Sequence, residues 1–101
     1  MSKRMVPADR KAAILDAAVG AAQKHTFAGL RLHHIATAAG CSNALVVSHF
    51  GTMTKLRRAV MRQAIARELL PIIANGIATQ DPTATRADRD LKKRALATLS
   101  A

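Results

Sequence analysis

Apolar residues recur at helical spacing along this chain, and no alternation of strand length interrupts them. The first stripe is Ile14, Leu15, Ala18, Val19 and Ala22; with Pro7 suited to a first turn and Asp9 placed against the positive dipole end, it predicts a helix over residues 8–24. Gly20 inside that helix is read as a close helix contact, and Phe27 as a core residue entering from the loop Thr26–Gly29. Leu32, Ile35, Ala36 and Ala39 predict a short helix ending at Gly40, the residue best suited to a left-handed cap. Ser42 then caps a second short helix, Asn43–His49, with Val46 and Phe50 buried. Thr52 or Thr54 caps a longer helix carrying Leu56, Val60, Ala64, Ile65 and Leu69, which Pro71 ends or kinks near Leu70. The segment Ile72–Ala78 is largely apolar, Asp81-Pro82 is a break, and Thr83 or Thr85 starts a last helix striped by Ala84, Ala87, Leu91, Ala95 and Leu99. The fold class is therefore all-α: a three-helix unit containing a helix-turn-helix, plus two or three short C-terminal helices.

Charge changes the picture most. Sixteen Lys and Arg against six Asp and Glu give +10 on 101 residues, room for one compact domain. The excess is concentrated: residues 1–60 carry +7 and residues 61–101 carry +3. Such a field attracts polyanions, nucleic acid before anionic membrane, while the plainer reading is a solvated basic surface. Trp and Tyr are absent and Phe occurs only at positions 27 and 50, which argues against base-stacking RNA or single-strand modules. A single Cys41 requires no oxidising compartment; no apolar run is of membrane-spanning length, and the N-terminus lacks the pattern of a secretory signal, so the expected location is cytoplasmic, at the nucleoid when bound to DNA.

The stretch from Leu32 to Phe50 carries the candidate function. Ile35, Ala36 and Ala39 keep the first helix thin on its inner face, Gly40 makes the turn, Cys41 fills a small apolar slot, and Ser42 caps the second helix. Asn43, Ala44, Leu45, Val47 and Ser48 are expected to face outward, small enough to let a helix sit deep in the major groove of double-stranded DNA. Asn can read adenine and Arg guanine, or either can hold phosphate, so Arg31, Asn43 and Ser48 lead the candidate contacts.

At these residues the chain resembles the tetracycline-repressor (TetR-type) family. Arg10-Lys11-Ala12-Ala13-Ile14-Leu15-Asp16-Ala17-Ala18 looks like that family's first helix, Ile35-Ala36 with Ala39-Gly40-Cys41-Ser42 like its turn, and Ser48-His49-Phe50 with Leu56 like its closing segment. The resemblance covers roughly residues 10–60 in one ungapped register. It implies a bacterial transcriptional repressor, of a plasmid, a phage or a compact operon, binding a palindromic operator as a homodimer. The chain departs from the family's pattern at Val47, where a phosphate-binding Tyr is usual, and at Met53, where a Lys is usual. Arg31 stands for the usual Thr cap and Thr26 for a Gly. Phosphate contacts are then expected from Arg31, His33, Ser48, His49, Thr52 and Lys55. Only about 40 residues follow the resembling part, so no small-molecule inducer is expected.

The expected organisation is a flexible basic arm over 1–7, the TetR-like domain over 8–55, and a helical extension over 56–101 that forms the dimer through Leu69, Leu70, Ile72, Ile73, Leu91, Leu96 and Leu99. Lys3, Arg4, Arg10 and Lys11 are read as an arm along the DNA backbone or minor groove, or as a disordered basic tail. His33 is a phosphate contact or a solvated residue, and His49 a phosphate donor or a partly buried structural group. Arg57, Arg58 and Arg62 are read as solvated, with Arg57 or Arg58 near phosphate. His33 and His34 are adjacent and diverge on a helix, with no Cys or carboxylate at ligand spacing, so neither metal nor any other cofactor is expected. No carboxylate pair, activated nucleophile or phosphate-cradling loop is present, and enzyme chemistry is not expected. The competing readings are an architectural, sequence-tolerant DNA coater and a helical protein-interaction module; a membrane-surface peptide comes last, because no helix opposes its basic residues with one broad apolar face.

Overall fold

Pro7 opens α1 (Pro7–His25) at a position where its missing N–H is not needed, with Asp9 in the first turn and Lys24 in the last, each complementing the dipole. The structure is a computed structural model that describes residues 6–100, and among these it is all-helical, without a strand. Lys3 and Arg4 lie outside the described residues. Arg10 and Lys11 do not belong to an arm: both are in α1, because the helix begins at Pro7. Six more helices and one 3₁₀ turn follow α1 among the described residues: α2 (Leu32–Ala39) and α3 (Asn43–Phe50), then α4 (Met53–Ala66), α5 (Leu70–Ala78), α6 (Pro82–Thr85) and α7 (Arg89–Ala97), with Thr98–Ser100 in the 3₁₀ turn.

One core unites them. Ile14, Ala18, Val19 and Ala22 of α1, Ile35 of α2, Val46 of α3, Leu56, Val60 and Met61 of α4, Ile72 and Ile73 of α5, Ala84 of α6, and Leu91 and Ala95 of α7 are all buried in it, with Phe27 and Leu30 from the loop. The boundary expected at 55/56 falls inside α4, whose buried residues belong to that single cluster. Gly20 is not a close helix contact: it is exposed, and a Cβ there would meet nothing within 4 Å.

Three helices end in the same way. Gly40 (φ 68°), Glu68 (φ 52°) and Gln80 (φ 63°) are left-handed, and the next residue's N–H reaches back to a carbonyl of the preceding helix: Cys41 to Ala36 at 3.0 Å, Leu69 to Ala64 at 2.8 Å, Asp81 to Gly76 at 2.7 Å. The expectation that Pro71 ends the long helix near Leu70 is thereby corrected. The Glu68 turn stops α4 at Ala66, leaving Leu69 outside any helix, and Pro71 instead sits in the first turn of α5. The single last helix expected from Thr83 or Thr85 is likewise two: the Asp81 carboxylate caps α6 through Ala84 N–H, and Asp88 caps α7 by accepting from Asp90 and Leu91.

At Gly76 the helices of the C-terminal half approach closely. A Cβ there would overlap Met61 Cε and stand 2.9 Å from Ala84 Cβ, so α4, α5 and α6 meet over a bare backbone. Gly76→Val is expected to destabilise the fold by about 2–3 kcal/mol by overpacking, despite its better helix propensity, read from the urea midpoint.

The apolar residues offered for a dimer divide. Ile72 (2% exposed), Ile73 (0%) and Leu91 (7%) are consumed by the chain's own core, which removes them from any outer surface; Leu69 and Leu70 are half-buried. Leu96 and Leu99 remain outside, at 41% and 59%.

Candidate nucleic-acid interface

The geometry of α3 is decided by its two ends. At the N-terminal side, Gly40 closes α2 and Ser42 Oγ accepts the Leu45 N–H at 3.1 Å; at the other, Gly51 N–H donates to Val47 O at 2.7 Å. At roughly 100° per residue, Asn43, Ala44, Val47 and Ser48 fall within about 140° of one face. All four are exposed, including the apolar Val47. The remaining arc holds Leu45, Val46, His49 and Phe50, of which Val46 and Phe50 are buried. Leu45 is thus corrected: it does not face outward but packs half-buried against the core, because it shares the inner arc with Val46. His49 is on that arc too and is half-buried.

Beyond α3, Thr52 is exposed and its hydroxyl oxygen accepts the Lys55 N–H at 3.2 Å as the cap of α4. Lys55 is exposed in the first turn of the same helix. On the other side of the turn, α1 brings two cations that sequence reasoning assigned to an arm. Lys11 Nζ lies 5.3 Å from the Phe50 ring centroid, and Arg10 borders a shallow groove with Gly40, Cys41 and Leu45. The helix expected over residues 8–24 already contains both, so their place in the first turns of α1 follows from the sequence, and the arm reading conflicts with it. Cys41 is half-buried beneath the turn and packs against the core, as its small apolar role requires.

Arg31 and His33 belong to a different locality. Arg31 is exposed at the N-cap position of α2, and its N–H donates to His34 Nδ1 at 3.0 Å, so His34 closes the first turn. His33 is exposed and borders a groove between α1 and α2 with Lys24, His25 and His34. The rings of His33 and His34 do not diverge: their centroids are 4.2 Å apart. Among the described residues no three metal-ligating side chains are grouped to hold an ion.

Arg57 carries the largest correction. It is not a solvated group on the outer face. Its Nη1 donates to Phe27 O at 2.7 Å and its Nη2 to Leu30 O at 2.6 Å, with the guanidinium 5.6 Å from the Phe27 ring centroid. The α1–α2 loop is also held from α5, where Asn75 Oδ1 accepts the Ala28 N–H at 2.8 Å. Arg58 and Arg62 are exposed, as expected of them.

Electrostatics reinforce the location. No acidic residue occurs between Asp16 and Glu68, a span that includes α2, α3, both turns flanking them and all of α4. Asp16 itself faces Arg67 at 3.6 Å across an exposed pair. The outward arc of α3 therefore lies within a segment that contributes cations and no carboxylate, a charge balance that attracts phosphate. Among the described residues no helix is long and apolar enough to cross a membrane. Comparison with models of protein families, with curated proteins and with solved structures finds no match to the chain.

Proposed function

We propose that this chain is a sequence-specific DNA-binding transcriptional repressor, in which α2, the Gly40 turn and α3 form a helix-turn-helix and α3 is the recognition helix. The observation that carries the reading is the outward arc of α3: Asn43, Ala44, Val47 and Ser48, all exposed, small or polar, on a helix fastened at both ends. The absence of any acid between Asp16 and Glu68 supports it, since phosphate contacts supply a large share of the affinity of such proteins. Arg10, Lys11, Thr52 and Lys55 flank the arc and are assigned to the DNA backbone; Asn43 is assigned to a base edge. The likeness of residues 10–60 to the TetR-type family rests on the motif residues alone and points the same way. A homodimer on a palindromic operator follows from that likeness, with Leu96 and Leu99 as the apolar residues left for the contact.

A second reading, an architectural DNA coater, is favoured by the same +10 charge, which asks for no sequence preference. Selection from a randomised duplex library across salt concentrations separates the two. A repressor enriches a palindrome with a preference of about 10³ or more over random DNA, and Asn43→Ala costs about 1–3 kcal/mol at one operator position. Salt-sensitive binding without enrichment supports the coater, and no binding at physiological salt overturns both in favour of a protein-interaction module.

A further inference from the structure

The histidines of the α1–α2 junction make contacts that the outward arc of α3 does not use. His25 is the last residue of α1 and His34 lies in the first turn of α2. Their rings stack with centroids 3.8 Å apart and planes 5° from parallel. The His33 ring meets His34 at 4.2 Å, tilted by 55°. His34 has a second task on the main chain, since its Nδ1 accepts the Arg31 N–H at 3.0 Å. That is the place in a capping box where Glu or Gln reaches back to close the helix start. An accepting Nδ1 carries a lone pair, so the ring is in its neutral form with the proton on Nε2.

Protonation undoes both contacts together. A proton on Nδ1 sets one donor against another and removes the cap of α2. Among the described residues the charged ring then faces Lys24 and His25 from α1, Arg31 and His33 from α2, and the positive end of the α2 dipole, none of which offers it a negative partner. Among the described residues no carboxylate borders the groove that these side chains share. Desolvation, and then the charges of His25, His33 and Arg31, hold His34 below the ordinary histidine value.

We propose that the stacked His25–His34 pair is a proton-operated latch that fastens α2 to α1, shut while the His34 ring is neutral and released when that ring takes up a proton. Because α2 leads through Gly40 into α3, the latch controls how firmly the outward arc is held on the rest of the chain. It is a property of the junction and holds whether or not the chain binds DNA. The sign follows from linkage: the folded chain binds the His34 proton less readily than the unfolded chain does. The stability it contributes is therefore complete above the unfolded value of about 6.5 and is lost as pH falls through the lower folded value.

Thermal unfolding of the whole chain between pH 8 and pH 5, compared with His34→Gln, tests this alongside an NMR titration of the His34 ring nitrogens in the unaltered protein. Gln keeps a capping acceptor at that position and cannot titrate. The unaltered chain is expected to lose roughly 3–6 °C in Tm over the acid half of the range, and His34→Gln less than half of that. The ring is expected to show an unprotonated Nδ1 at neutral pH and to titrate below about 6.5. Equal losses in both proteins, or a His34 that titrates at or above that value, would overturn the latch.

Discussion

Arg57→Met is expected to lower the stability of this chain by about 3 kcal/mol, or roughly 10–20 °C in Tm, while Arg57→Lys recovers less than half of the loss. The guanidinium bridges Phe27 O and Leu30 O at 2.7 and 2.6 Å, and both residues are otherwise buried, at 3% and 0% exposure. A hydrogen bond from a charged donor contributes about 1.5–3 kcal/mol, and the half-buried position of Arg57 reduces the pair from the upper end of that range. Methionine keeps the aliphatic stem but removes the guanidinium from both loop carbonyls, leaving Phe27 O with only the longer 3.3 Å bond from the Leu30 N–H. Lysine places one point charge where a planar fork is needed, so it reaches one carbonyl at best. A domain of this size has about 5–15 kcal/mol in total, so the change is visible in a urea melt as a large shift of midpoint. A solvated Arg57 would predict a change within about 0.5 kcal/mol, and such a result would contradict the bridge.

The second large effect is expected on DNA and not on stability. Ala44 is exposed in the first turn of α3, on the outward arc with Asn43, Val47 and Ser48. Ala44→Glu places a carboxylate at the positive end of the helix dipole, where it stabilises the helix slightly or is neutral. Against a phosphate-lined groove the same carboxylate is repelled, and its desolvation finds no partner. Affinity for duplex DNA is expected to fall about hundredfold, equivalent to about 2.7 kcal/mol, with Tm unchanged or slightly raised. Ala44→Gln, which adds similar bulk without charge, is expected to lose less. Fluorescence anisotropy on a labelled duplex, paired with circular-dichroism melts, reads both quantities; retained affinity in Ala44→Glu removes the outward arc of α3 from the interface.

The N-terminal half was legible because its helix ends use residues with a strong local meaning. Gly40 in a left-handed turn, Ser42 on the Leu45 N–H and Thr52 on the Lys55 N–H are the caps that their side chains suggest. The C-terminal half uses the same left-handed turn at Glu68 and Gln80, where the side chain carries no such signal and tertiary packing decides. Asp88 likewise splits the last helix by taking up two backbone amides, although as a charge it reads equally well as a solvated helix residue. On α3, Leu45 was misplaced for a reason open to arithmetic: at 100° per residue it cannot share a face with both Ala44 and Val47 while Val46 is buried. Arg57 was not open to it, since its partners are main-chain carbonyls roughly thirty residues away, which leave no pattern of residue types to read.

The α1–α2 loop has a consequence for what can be separated from what. Its carbonyls are held by α4 and its Ala28 amide by Asn75 of α5, 47 residues along the chain. The end of the molecule that carries α3 is therefore not a transferable cassette. A graft or recombination event that stops at the close of the three N-terminal helices leaves behind the two side chains that shape the loop between the first and second. Exchange of this unit between proteins has to carry the chain at least through Asn75, so what looks in the sequence like a portable reading head is inherited with its scaffold or not at all.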